Sequence, residues 1–101
     1  MDEQLQLTLT DSGNDVHYVR LCGEIDMSSS SELEERLIEI AWSRIELDVS
    51  ELTFIDSAGV HALTNVDTAL RRRQKSLALL GVRENVKRVL EILGKEKWVV
   101  A

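Results

Sequence analysis

Hydrophobic and polar residues alternate along the first part of the chain, as they do in strands that bury one face. Leu5, Leu7 and Leu9 alternate with polar residues, and a second apolar run covers residues 16–22. The segment between them, residues 11–15, is polar and contains a glycine, which is typical of a turn. The pattern therefore predicts a β-hairpin.

A serine tract, residues 28–31, predicts the start of a helix. Ser29 and Ser31 are each followed three residues later by a glutamate, which matches the capping box that satisfies free backbone N–H groups. Trp42 is expected to pack near the end of this helix. Four apolar residues recur at helical spacing and predict one buried stripe: Leu33, Leu37, Ile40 and Ala41.

The middle of the chain predicts a strand followed by a helix. Residues 45–49 alternate between apolar and acidic positions, and the polar pair Ser50 and Glu51 predicts a break after them. A helical pattern starts after Ser57 and continues to the basic run 71–73. Its apolar face consists of Val60, Leu63, Val66 or Asp67, and Leu70.

The last third of the chain repeats this alternation. Residues 76–82 predict another strand, and the continuous apolar run within it, 77–80, indicates burial on both faces. A third helix ends at Gly94, and residues 98–100 predict a short closing strand. The third helix carries one apolar face: Val86, Val89, Leu90 and Leu93.

The element order ββαβαβαβ predicts an α/β fold. Strands that alternate with helices must be parallel and joined by right-handed crossovers, while the first strand is antiparallel to the second. We therefore expect one domain over residues 1–101, with a mixed, mostly parallel sheet and helices on at least one face.

Composition places the chain among globular proteins. Hydrophobic residues make up 44% of the chain and charged residues 30%. This composition is too apolar for a disordered chain. The chain starts with the acidic residues Asp2 and Glu3, which argues against a signal peptide. Its longest apolar run, 77–80, is too short for a membrane span. A single cysteine, Cys22, allows no internal disulfide and is expected to be a buried thiol. These features favour the cytoplasm.

The net charge of −6 is distributed unevenly. Residues 1–70 hold 15 acidic and 3 basic residues, whereas residues 71–101 hold 3 acidic and 9 basic ones. The two parts should attract each other within one domain. With only four aromatic residues in the chain, a general nucleic-acid binder is disfavoured.

The segment from Phe54 to Gly59 carries the strongest candidate for chemistry. An apolar strand stops at Asp56 and Ser57 just where the second helix begins. At such a helix start either side chain can cap free N–H groups, and the helix dipole favours negative charge. Ser57 is thus a candidate phosphoacceptor, while the simpler interpretation is that both residues only cap the helix.

Catalysis and cofactor binding find little support. Ser57 and His61 lie four apart on one helix face, but Asp56 points away from that face and no G-x-S-x-G elbow exists. His17 and His61, the only histidines, fall in different elements without ligand spacing around them. Neither a P-loop nor a G-x-G-x-x-G run is present. We therefore expect no enzyme, no metal and no cofactor.

Three blocks of sequence resemble one known family, the STAS domain proteins, and within it the bacterial anti-sigma factor antagonists. Residues 23–26 resemble the family's G-E-[IL]-D turn after its second strand. Residues 47–50 resemble its L-D-[LV]-S strand, and residues 54–59 its F-[IM]-D-S-[SA]-G phosphorylation loop. The three blocks occur in order, and the resemblance spans nearly the whole chain.

The resemblance implies roles for individual residues. Ser57 matches the serine that is phosphorylated by a kinase which is itself the anti-sigma factor. Asp26 matches an acidic residue implicated in kinase recognition, and Asp56 and Gly59 match residues that shape the loop. Ala58 departs from the second serine of many members, and His61 is a second departure. The surface expected to bind the partner comprises Glu24, Asp26, Asp56, Ser57, Ala58, Gly59 and His61.

The resemblance further implies a partner switch. The unphosphorylated protein would bind an ATP-binding, histidine-kinase-like anti-sigma factor and release its sigma factor. Phosphorylation of Ser57 would break that contact, and a metal-dependent serine phosphatase would restore it. Neither nucleic acid nor direct membrane insertion is implied.

Three alternatives remain at this stage. The chain also resembles the STAS subunits of membrane lipid-transport ABC complexes, which dock on an ATPase but tend to carry threonine where Ser57 stands. A stressosome-type scaffold is the second alternative. The third is an interaction domain without a covalent switch.

Overall fold

A five-stranded mixed sheet forms the centre of a computed structural model that describes residues 5–11 and 15–100. β1 is antiparallel to β2, whereas β2, β3, β4 and β5 run parallel to their neighbours. The predicted fold class, element order and hairpin are confirmed, although residues 12–14 of the predicted turn lie outside the described residues. The strands, which lie side by side in chain order, are β1 (Gln6–Asp11), β2 (Val16–Ile25), β3 (Arg44–Ile55), β4 (Leu77–Leu80) and β5 (Val99–Val100).

Three helices connect the parallel strands: α1 (Ser30–Ile38), α2 (Ser57–Arg71) and α3 (Glu84–Ile92). Each crossover advances in the same direction across the sheet, so right-handed connections place all three on one face. Burial along β2 agrees, since Val19 and Leu21 are buried while Tyr18 and Arg20 between them are exposed. Along β2 the opposite face is exposed, and we call it the open face, whereas residues 77–79 of β4 are buried in succession.

The core lies between the sheet and the helices, and the predicted apolar stripes supply most of it. Of the stripe predicted on the first helix, Ile40 and Ala41 lie beyond the end of α1 at Ile38. Ile40 is only half-buried, and the other residues of the stripe are buried. On α2 both alternatives are buried, because Val66 is apolar and the Asp67 carboxylate pairs with Arg71 at 3.0 Å. Leu93 was predicted on the buried face of the third helix but is 41% exposed, since α3 ends one residue earlier.

The break predicted at Ser50 and Glu51 is wrong. β3 continues through both residues, and its pairing with β2 shifts there, so that β3 carries an extra residue in a bulge. The Asp48 carboxylate accepts the Ser50 N–H at 3.0 Å and the Ser50 hydroxyl at 2.7 Å. These bonds lower the pKa of Asp48. The bulge exposes two polar residues without ending the strand. β3 then continues to Phe54, which lies next to the candidate site.

Other boundaries also differ from the sequence expectation. β2 extends to Ile25 instead of ending at Cys22, whose thiol is half-buried on the open face and not fully buried as predicted. β4 is shorter than the predicted strand 76–82. Trp98 ends a 3₁₀ turn, Glu96–Trp98, and does not belong to the closing strand. Gly94 follows the end of α3 with φ +73°, as predicted for a helix terminus.

Trp42 lies four residues beyond α1 and remains half exposed, so its expected packing is only partial. Its ring stands edge-on against the ring of His17, with the centroids 4.8 Å apart. His17 is buried and hydrogen-bonds the Ser43 hydroxyl through Nδ1. Within the described ranges, no helix is long and apolar enough to cross a membrane.

Candidate functional site

The candidate site lies where the carboxyl ends of β2 and β3 meet the start of α2. Ile25 and Ile55 are paired at the ends of these strands, and the Asp56 N–H donates to the Ile25 carbonyl at 3.2 Å. This bond fixes the start of α2 against the loop that leads to α1. The structure therefore brings the first and third resembling blocks together, whereas the second, residues 47–50, lies in the middle of β3.

Asp56 caps α2. Its backbone is extended, and its Oδ1 accepts the N–H of Gly59 at 3.0 Å. The sequence allowed either Asp56 or Ser57 to cap, and the structure assigns the cap to Asp56. Ser57 is exposed, and its hydroxyl has no hydrogen bond to any residue that the structure describes. The hydroxyl is thus available to another molecule at the positive end of the helix.

Gly59 permits the close approach of α2 to the two strands. A Cβ at this position would lie 2.7 Å from Cγ2 of Ile25 and 2.8 Å from Cγ1 of Ile55. It would also lie 3.1 Å from the Ile25 carbonyl oxygen. Gly59 therefore sets how closely Ser57 is held to the end of β2.

Replacing Gly59 with alanine should lower the free energy of unfolding by about 1–3 kcal/mol, because the added methyl group overpacks two buried isoleucines. Urea denaturation of Gly59→Ala and the wild type measures the difference. Ser57→Ala serves as the control, since an exposed change should stay within about 0.5 kcal/mol. Equal midpoints for Gly59→Ala and Ser57→Ala would contradict this packing.

The loop between β2 and α1 is organised by the Asp26 carboxylate. Its Oδ1 accepts the Ser28 N–H at 2.9 Å, the Ser28 hydroxyl at 2.7 Å and the Ser29 N–H at 3.2 Å. The Ser28 hydroxyl is the main cause that lowers the pKa of Asp26, with both backbone N–H groups adding to it. Asp26 thus holds the loop in one conformation.

The predicted capping box of α1 does not form as expected. Ser29 precedes α1, but its hydroxyl makes no cap to the helix. Instead it accepts the Asp26 N–H at 3.0 Å and lies 3.2 Å from the Glu24 carbonyl oxygen, to which it can donate. Ser31 already lies within the helix. The serine tract therefore bends the chain towards the site as well as starting α1.

An NMR pH titration should show this organisation. Hydrogen bonds lower the pKa of Asp26 in the folded protein below its value in the unfolded chain. The charged carboxylate therefore stabilises the loop above the pKa of the unfolded chain, and this stabilisation is lost as the pH falls through the lowered pKa of the folded protein. The amide signals of Ser28 and Ser29 should therefore stay constant from neutral pH down to about pH 4 and shift only below it. Shifts of these amides centred above pH 4 would contradict the hydrogen-bond pattern. The amide of Gly81, in another loop, provides a reference.

The remaining predicted residues take different positions around Ser57. Glu24 is half-buried at the end of β2 and pairs with Phe54 across the strands. Ala58 is half-buried in the first turn of α2, and His61 is exposed one turn further on. No described carboxylate bonds His61, so the Ser-His-acid arrangement is not formed. His17 lies at the opposite end of the sheet, beside Ile45 at the start of β3.

Two exposed apolar side chains border the site and were not selected from the sequence. Met27 is 79% exposed in the loop that Asp26 organises, and Phe54 is 43% exposed two residues before the Asp56 cap. Phe54 carries a signal, because it belongs to the resembling block 54–59. Met27 carries none, since a single methionine in a polar segment does not reveal its exposure.

Comparisons with known proteins find the same family that the three sequence blocks resemble. A family model described as "Mlab, STAS domain" matches residues 8–101. An anti-sigma-B factor antagonist of Staphylococcus epidermidis is 29% identical over 84 residues, which is 80% of this chain and 78% of that protein. One from Listeria monocytogenes is 30% identical over 78 residues, covering 73% of this chain and 68% of that protein.

Solved structures share the fold. The unphosphorylated form of the anti-sigma factor antagonist SpoIIAA superposes with a TM-score of 0.85 at 20% identity, covering 94% of this chain and 86% of that one. The phosphorylated form of SpoIIAA from Bacillus gives a TM-score of 0.76 at 19% identity, covering 94% and 89%. An anti-sigma factor antagonist from Mycobacterium paratuberculosis gives 0.81 at 21% identity, covering 93% and 81%.

Proposed function

Because this chain belongs to the STAS domain family, we propose that it is an anti-sigma factor antagonist whose binding is switched off by phosphorylation of Ser57. In its unphosphorylated form it binds an anti-sigma factor that is also an ATP-dependent serine kinase, and the sigma factor is released. A serine phosphatase reverses the modification. The protein itself acts in the cytoplasm as a binding module and performs no catalysis.

One observation carries this proposal: the Ser57 hydroxyl is exposed and unbonded at a helix start that another residue already caps. A hydroxyl needed for capping would be occupied, but Asp56 accepts the Gly59 N–H in its place. Ser57 can therefore enter a kinase active site without loss of the α2 terminus. The relatives described as anti-sigma-B factor antagonists support the same role.

Electrostatics favour the direction of the switch. Three carboxylates, those of Glu24, Asp26 and Asp56, belong to the chain segments that meet at Ser57. A phosphoserine adds about −1.5 to −2 charges at neutral pH. A partner surface that fits the neutral hydroxyl then meets added bulk and negative charge, so its affinity falls. Within this chain the phosphate would remain compatible with the α2 dipole, so the fold is retained.

Phosphate transfer tests the proposal. The ATP-binding anti-sigma factor encoded nearest to this gene is incubated with the protein and ATP, and the product is examined by mass spectrometry. One phosphate is expected on the wild type and none on Ser57→Ala. Ser31→Ala is the matched control, because Ser31 is also exposed at a helix start. Phosphate incorporation that persists in Ser57→Ala, or none in the wild type, would exclude Ser57 as the switch.

A further inference from the structure

We propose that Met27 and Phe54 are the apolar anchors by which the anti-sigma kinase holds the Ser57 surface, and that Asp26 acts as a positioning residue that presents Met27. This inference rests on the proposed function. It assigns the apolar contact to two residues outside the acidic positions identified from the sequence. It also gives Asp26 a role that differs from direct contact with the partner.

Met27 is displayed by an ordered segment. It lies between Asp26, whose carboxylate accepts the bonds described above, and Ser28, which donates two of them. The Ser29 N–H also donates to the Asp26 carbonyl at 3.1 Å, so the chain turns around Met27. Although its neighbours are fixed, the Met27 side chain is 79% exposed. Because the backbone of the loop is already held in place, binding through Met27 costs little backbone conformational entropy.

Phe54 is fixed by the strand that carries it. It pairs with Glu24 across β2 and β3, and the next residue, Ile55, is buried in the core. Phe54 therefore lies on the side of β3 opposite to Ile55, and it is 43% exposed. Aromatic and methionine side chains are enriched at the centres of protein interfaces, where they fill pockets of the partner.

Both residues lie close enough to Ser57 to belong to an interface centred on it. A standard interface buries about 800 Å² on each partner, which corresponds to a disc of about 16 Å radius around its centre. Three residues of extended chain reach at most about 11 Å, so Phe54 lies inside such a disc around Ser57. Met27 follows two residues after Ile25, whose carbonyl accepts the Asp56 N–H at 3.2 Å. Both apolar side chains thus lie within the area that an interface of standard size around Ser57 would cover.

Charge complementarity defines the partner surface. The carboxylates of Glu24 and Asp56 lie on the same segments as the two apolar side chains. The matching surface on the kinase is therefore an apolar pocket bordered by lysine or arginine side chains. The apolar contacts are the same in the phosphorylated and unphosphorylated forms. Met27 and Phe54 accordingly set the affinity of both forms, while Ser57 sets the ratio between them.

The test is a binding titration of the same anti-sigma factor with Met27→Ala and Phe54→Ala. Each variant should raise the Kd by at least about tenfold, as expected for truncation of an anchor. Ile92→Ala is the matched control, because Ile92 is 76% exposed on the last turn of α3, at the opposite end of the sheet, and should change the Kd less than about twofold. Met27→Gln keeps the side-chain length and cannot disturb the core, so loss of binding in this variant reports the lost apolar contact.

The positioning role of Asp26 is tested by a double-mutant cycle. If Asp26 acts through Met27, then Asp26→Ala should weaken binding, and the double variant Asp26→Ala/Met27→Ala should bind no more weakly than Met27→Ala alone. Amide exchange at Ser28 and Ser29 should increase in Asp26→Ala and remain unchanged in Met27→Ala. Additive losses in the cycle would overturn the positioning role.

The outcomes separate this inference from the proposed function. A wild-type protein that binds the anti-sigma factor, together with Met27→Ala and Phe54→Ala variants that bind equally well, overturns the anchors and leaves the switch intact. A wild-type protein that does not bind at all overturns both. Weakened binding of both variants, together with an unchanged Kd for Ile92→Ala, supports the role of Met27 and Phe54 as anchors.

Discussion

Replacement of Trp98 by alanine should lower the free energy of unfolding by about 3–5 kcal/mol. Trp98 is the largest fully buried side chain among the described residues, with 1% of its surface exposed. It ends the 3₁₀ turn that leads into β5, and the ammonium group of Lys95 lies 5.5 Å from its ring centroid. A chain of this size is stable by about 5–15 kcal/mol, so the loss is a large part of the total.

Guanidinium denaturation measures this effect, and Trp42→Ala provides the matched control. Trp42 is half exposed and should cost far less than Trp98. Trp98→Phe should also cost less than Trp98→Ala, because it leaves a smaller cavity. Both changes remove an indole N–H that has no acceptor among the described residues. Similar losses for Trp42→Ala and Trp98→Ala would contradict the assigned core.

The periodic segments of the fold could be predicted because burial on one face leaves a pattern. The stripes on α1 and α2 are long enough to show helical spacing, and the apolar run in β4 shows a strand covered on both faces. A cap at the start of α2 follows from local chemistry at a strand-to-helix junction, although the sequence left it open between Asp56 and Ser57. These features depend on near neighbours in the chain.

The features that could not be predicted depend on contacts between distant segments. The bulge in β3 is visible only in its pairing with β2. From the sequence alone, Ser50 and Glu51 predict a break in the strand. Ser29 fits a capping box in sequence, but the end of β2 offers its hydroxyl a second set of partners. The exposure of Met27 results from the loop that Asp26 closes. Such competition between partners leaves no periodic signal.

Replacement of Ser57 by aspartate should weaken binding of the anti-sigma factor by roughly 5–150-fold, the range of a coupling of about 1–3 kcal/mol. The carboxylate places negative charge and added bulk beside Asp56, where the partner surface fits a neutral hydroxyl. The fold should not be weakened, since a negative charge in the first turn of α2 is favourable by about 0.3–1 kcal/mol. Isothermal titration calorimetry and thermal denaturation measure the two effects separately.

Ser76→Asp is the control for charge. Ser76 is exposed just before β4, at the end of the sheet away from Ser57, so the same change in net charge should leave binding nearly unaffected. Ser57→Ala should bind as well as the wild type, because it adds neither charge nor bulk. Equal weakening by Ser57→Asp and Ser76→Asp would attribute the effect to net charge and not to the site.

The most direct measurement compares the protein carrying phosphoserine at position 57 with the unmodified protein in calorimetric titrations against the same anti-sigma factor. The partner-switch mechanism predicts a Kd at least about fivefold higher for the phosphorylated form, with the unmodified affinity restored after phosphatase treatment. Equal affinities of the two forms would contradict it.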